Sequence, residues 1–213
     1  MNPFELITNW KEEEDGVVSI VKAMASEKGL LDEYQLAGLK QIMNELWEVI
    51  GSDMTVDHIA DKCCESDEQR IKDIGQQLYA FTSKGSYGSY FSGSNNVNFQ
   101  NRFTVLELDE LQGYRKHLRQ VVLLQMIYQI QQEMFLGERN RKKVVIIDEA
   151  WDLLKEGEVS TFLWNTNTVR QGSTVEVLVF VLSRSTTCMK TLWVALLLRT
   201  QLPCTYLVRQ KSQ

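Results

Sequence analysis

The segment KKVVIIDEAWDLL, residues 142–154, sets two adjacent carboxylates, Asp148 and Glu149, directly after four β-branched aliphatics, Val144, Val145, Ile146 and Ile147. An unbroken run of such residues suits a parallel strand buried on both faces. The carboxyl ends of parallel strands face the ligand crevice of an open α/β sheet. There one carboxylate can hold a divalent cation and a second can orient or deprotonate a water. This is the Walker B arrangement of phosphoryl-transfer chemistry. Asp148 is its candidate for Mg2+, directly or through water, and Glu149 its candidate base for the water that attacks a γ-phosphate. The same pair can also serve without chemistry, since acids ahead of WDLLKEGEVSTFL favour the dipole at the start of a helix. Strand and pair alone leave both readings open.

The phosphate-cradling half of such a site should read GxxxxGK[ST], and that pattern occurs nowhere in the 213 residues. The glycine-rich stretch SKGSYGSYFSGSNNVNFQN, residues 83–101, reads instead as a long loop or hairpin. The chain therefore carries one half of a nucleotide site.

The elements that must position the pair follow from periodicity. RFTVLELDEL, residues 102–111, alternates apolar and polar residues as a strand does; its Glu107 and Asp109 are read as edge or turn carboxylates outside the site. Residues 115–136 form the longest helix, with a broad apolar face through Leu118, Val121, Val122, Leu124, Met126, Ile127, Ile130 and Met134. Strand, crossover helix and strand predict a parallel βαβ unit. Upstream, Leu36, Leu39, Ile42, Met43, Leu46 and Trp47 line one helix face behind a capping Asp32. Two shorter helices follow, broken near Ser66. This acidic helical block reads as a small lobe.

Composition is that of a soluble globular chain. Its longest apolar run, TLWVALLL, falls short of the ~20 residues of a membrane span. The start of the chain shows no basic region followed by an apolar one, so a cytoplasmic location is expected. The four cysteines have no CxxC spacing and read as reduced thiols; His58 and His117 read as structural or solvated. The net charge of −5 gives no nucleic-acid signal, yet it conceals an asymmetry. Residues 1–163 carry −10, whereas 164–213 hold a single acid, Glu176, against six bases, for +5.

NPFELI, FTVLELDELQG, the helix QVVLLQMIYQIQQEMFLGERNRKK and VVIIDEAWDLLKEGEVSTF together resemble the F-type TraC family, the conjugative pilus assembly ATPases of type IV secretion. The resemblance covers residues 2 to about 163. It implies a partial RecA-like P-loop NTPase core of α/β class with an inserted small helical lobe. It also implies ATP and Mg2+ as cofactors, with Asp148 the Mg2+-linked acid, Glu149 the water-activating base and Trp151 a packing residue. The intact family forms homo-hexameric rings that work with other secretion and pilus-assembly proteins at the cytoplasmic side of the inner membrane. The division this predicts is 1–30 as part of the ATPase core, 31–83 as the helical lobe, 84–163 as the core βαβ segment with Walker B, and 164–213 as an aberrant tail.

Two departures qualify the resemblance. The P-loop strand expected ahead of NPFELI, with its Lys and Thr or Ser, is not in the sequence, so poor ATP affinity and no hydrolysis by this chain alone are expected. Beyond STF the family pattern stops. If each codon starts at the third base of the printed one, RSTTCMKTLWVALLLRT can encode INDLYENAVGRAIAEN, and VRQGSTV, LSR and PCTYLVR are compatible with RKYGG, TQS and AMYLLGQ. This shifted frame restores acids and the family's Gly-Gly turn, so residues 164–213 are expected to be out of frame; a native strand and helix of unusual composition is the other reading. Three functions are expected. The first is an inactive piece of a motor ATPase, the second a non-catalytic module docking on ring or pilus-assembly partners, and the third an ATPase completed by another chain's P-loop.

Overall fold

The computed structural model describes residues 1–27, 31–95, 103–107, 116–136, 143–148, 177–182 and 204–209. They fall in two compact units, Met1–Val97 with Lys116–Gln129, and Asn98–Arg115 with Ile130–Gln213.

The first unit is helical. Helix α1, Trp10–Ala25, buries Val17, Ile20, Val21 and Met24, the three-and-four spacing of a core-facing stripe. Its Asn9 cap makes no side-chain bond. Instead the Glu13 carboxylate accepts from Thr8 N at 3.0 Å and Asn9 N at 2.9 Å, covering donors the first turn leaves open. Helix α2, Glu33–Ile50, starts at a capping box, with Gln35 N donating to Asp32 Oδ1 at 2.9 Å and Asp32 N to Gln35 Oε1 at 3.3 Å. It stops at Gly51, whose φ of 65° suits glycine. Of the stripe read from sequence, Leu39 and Met43 are fully buried, while Leu36, Ile42, Leu46 and Trp47 are half-buried.

The Gln35 backbone N–H, reinforced by Arg70, holds the Asp32 carboxyl below the ordinary carboxylate range. A depressed folded-state pKa contributes stability above the unfolded value of about 3.9, and that contribution is lost as pH falls through the folded value. Asp32→Asn keeps the cap acceptor and loses the charge. Its stability relative to wild type is therefore expected to improve as pH falls through this acidic window, read from thermal melts between about pH 2 and 5.

Helices α3, Val56–Glu65, and α4, Gln69–Leu78, break at Ser66, whose hydroxyl accepts from Glu68 N at 3.2 Å. They pack closely because of Gly75: a Cβ there would meet Ala60 O at 2.7 Å. Cys63 is buried and its thiol is pushed up to about 12, first by burial and then by Cys64 beside it; Cys64 is exposed. The glycine-rich stretch differs from a plain loop, since Gly88–Phe91 forms one helical turn, α5, that buries Phe91. Residues 96–101 of it lie outside the described residues.

Helix α6, Lys116–Leu136, begins one residue after its expected start, and residues 118–130 of it are buried on several faces rather than along one. Leu118, Val121, Val122, Leu124, Ile127 and Ile130 are buried as expected, and so are Gln120, Gln125 and Gln129. His117 Nε2 donates to Ala23 O at 2.6 Å and Tyr128 Oη to Glu13 Oε2 at 2.9 Å, both joining α6 to the α1 region. The side-chain amide of Gln125, 1% exposed, has no partner at either atom among the described residues. A buried amide left unpaired costs about 1–3 kcal/mol, so Gln125→Leu is expected to stabilise the chain by about 1–2 kcal/mol in denaturant titration.

The second unit holds strands β1, Phe103–Glu107, β2, Lys143–Asp148, β3, Val177–Leu182, and β4, Cys204–Arg209. They form one sheet of order β1-β4-β2-β3, parallel throughout. The strand reading of KVVIID and FTVLE holds, as does the parallel relation of β1 and β2. The two are not neighbours, however, because β4 pairs between them.

The compact units divide the chain differently from the sequence reading. Residues 1–27 sit with the helices, because α1 packs on α2 and α4 and Trp10 stacks on Trp47 with ring centroids 4.8 Å apart. Residues 164–213 supply β3 and β4, two of the four strands. Val- and Leu-rich stretches can pair this way whatever their origin.

Candidate functional site

Strand β2 has a parallel neighbour on each side, and Asp148 is its last residue. Its backbone is in register with Leu182 at the end of β3 and with Arg209 at the end of β4, which in turn is in register with Glu107 at the end of β1. All four strands therefore finish together, and Glu107, Arg209, Asp148 and Leu182 form one row along the carboxyl edge. In an open parallel sheet that edge is where ligands bind.

Sequence reasoning placed Asp148 in this position and set Glu107 aside. It missed Arg209, which it assigned to the aberrant tail. Only strand order could have revealed Arg209 between the two acids. Glu149, Asp109 and Trp151 lie outside the described residues. Asp148 is an oxygen donor at the crevice end of a central strand, and a single carboxylate there fits a hard cation such as Mg2+, which keeps several waters and takes one or two carboxylates from the protein. Glu107 ends a strand two places away, with β4 between them. Among the described residues no cluster of three or more His, Cys, Asp or Glu side chains could hold a metal ion.

Comparison with known proteins bears on the family and the fold. The TraG P-loop domain family matches residues 5–181. "Protein TraC" of Escherichia coli (strain K12) is 30% identical over 176 residues, covering 76% of this chain and 20% of that protein. The chain thus spans about a fifth of the length of the curated relative it matches. The solved structure of VirB4 of Thermoanaerobacter pseudethanolicus superposes with a TM-score of 0.59 at 15% identity, over 84% of this chain and 68% of that one.

A parallel sheet with these likenesses defines a P-loop NTPase fold. The chain belongs to the TraG P-loop domain family, and its likeness to TraC agrees with the family resemblance read from the sequence.

Proposed function

We propose that this chain contributes the Walker B half of the ATP site of a type IV secretion motor and does not turn over ATP by itself. The observation that carries the reading is Asp148 at the carboxyl end of a strand flanked on both sides by parallel neighbours. In this reading Asp148 holds Mg2+ directly or through water, and Glu149 orients and deprotonates the attacking water. When bound, Mg2+ neutralises charge on the β- and γ-phosphates. The Lys and Ser or Thr of a P-loop are not among these 213 residues, so those groups must come from other sequence or another chain. The core is read as RecA-like with the helical unit as an insertion, and the assembly as a homo-hexamer working at the inner membrane with secretion and pilus-assembly partners. Among the described residues no helix is long and apolar enough to cross a membrane.

Phosphate release with Mg2+ and ATP tests this. The isolated chain is expected to give none above buffer, and sustained turnover that Glu149→Gln abolishes would overturn the reading. A docking module without chemistry is the alternative, and co-purification with an intact ring in which no variant of Glu149 alters turnover would favour it.

For residues 164–213, the charge reversal supports a frame change near codon 163, while the family match running on to residue 181 weighs for a native strand there. Resequencing the gene decides: one missing or extra base identifies an out-of-frame tail, and an unaltered sequence identifies a native one.

A further inference from the structure

Between α2 and the α3–α4 turn the helical unit carries a groove of about 490 Å³ that the ATP-site reading does not use. Its floor is apolar, from Gly38, Ile42 and Ile71. Its rim is charged, with Glu45, Glu65 and Glu68 against a single Lys62. Lys62 is already committed to Glu65 at 3.8 Å. The nearby Arg70 is committed as well, since it pairs with Asp32 and lies over the Tyr34 ring at 5.3 Å. Among the described residues neither Glu45 nor Glu68 has a cationic partner, which leaves the rim net acidic.

Tyr34 also lines the groove, and Val49 lies beyond Glu45 on the same helix. Tyr34 is 49% exposed and Val49 85% exposed, the two large hydrophobics that α2 shows to solvent. Positions 34, 38, 42, 45 and 49 advance by three or four residues, so they fall on one face of α2. On that face Glu45 accepts only from Gln41 Nε2 at 2.9 Å among the described residues, a neutral donor on its own helix.

We infer that this groove is a docking site for an amphipathic helix of a partner protein, one whose apolar stripe is flanked by lysine or arginine. The apolar floor and the exposed Tyr34 and Val49 would take its i, i+3, i+4 and i+7 anchors, as in other helix-in-groove complexes. Glu45 and Glu68 would meet its basic flanks, setting register and partner choice more than raw affinity. The inference is independent of the ATP-site reading, because every residue it uses belongs to the helical unit.

The test uses the whole chain and a fluorescent synthetic helix of about four turns, with leucines on one face and lysines on its flanks. A counterpart with glutamates on the flanks serves as its control. Anisotropy should show saturable binding of the lysine form. Glu45→Lys with Glu68→Lys should weaken it about tenfold, the size expected when two exposed charge contacts turn from attraction to repulsion. Ala37→Trp, which fills the groove, should weaken both the parent complex and any residual binding. Glu12→Lys with Asp53→Lys makes the same net charge change outside the groove and should shift affinity less than about twofold. Equal weakening by that outside pair, or equal binding of the glutamate form, overturns the inference. So does self-association of the chain, seen by sedimentation, that the groove variants abolish, because the occupant is then a second copy.

Discussion

Glu149→Gln is expected to lower ATP turnover by about 10²–10⁴-fold in an assembly that supplies the P-loop, because that is the contribution of a positioned general base. At about 1.4 kcal/mol per decade, this is a loss of about 3–6 kcal/mol of transition-state stabilisation. Glutamine keeps the size and hydrogen-bonding reach of the side chain and removes only its basicity. The KM for ATP should therefore stay near wild type while kcat falls. Asp148→Asn should behave differently: a residue that holds Mg2+ shifts the Mg2+ concentration needed for half-maximal turnover. If the acidic pair only caps a following helix, the pattern reverses. Glu149→Gln would then leave turnover unchanged and cost about 0.3–1 kcal/mol of stability through the lost charge at the helix start. Steady-state phosphate release at saturating ATP, with a melting curve on the same preparation, separates the two. Unchanged kcat in the variant would end the general-base assignment.

What the sequence made legible divides along a physical line. Local signals carried through: Asp32 with Gln35 three residues on is a capping box, Ser66 marks the α3–α4 break, and the apolar run before Asp148 is a strand. Each depends on side chains and backbone within one turn or one strand, where spacing alone fixes geometry. Features that depend on distant partners did not carry through. Nothing near residue 10 announces that Trp10 stacks on Trp47 and that Trp10 Nε1 donates to Asn44. Strand order was hidden for the same reason. The place of CTYLVR between β1 and β2 is settled by pairing across 102 residues to β1 and 61 to β2. Of the site, Asp148 and its edge position were readable. Arg209 beside it was not, because register is a property of the assembled sheet.

Phe81→Ala is expected to cost about 3–5 kcal/mol, the range for truncating a fully buried phenylalanine. Phe81 is 1% exposed and ends the single 3-10 turn Tyr79–Phe81 that follows α4. Three rings surround it: Tyr87 at 5.2 Å, Phe91 at 5.4 Å and His117 at 5.2 Å, the last two edge-on as the aromatic quadrupole prefers. His117 extends the chain of contacts, since its Nε2 reaches Ala23 O, so the cluster ties α5 and the end of α4 to α6 and α1. Removing the ring leaves a cavity and also strips partners from three aromatic neighbours, which is why the loss should sit in the upper half of that range. For a chain of this size the melting temperature should fall by about 10 °C. Phe81→Leu, which keeps most of the volume, should cost about half as much or less. Combining Phe81→Ala with His117→Ala should give less than the sum of the two single losses, because their edge-on contact can be lost only once. A melting shift under about 2 °C for Phe81→Ala would mean that this cluster does not hold the helical unit together.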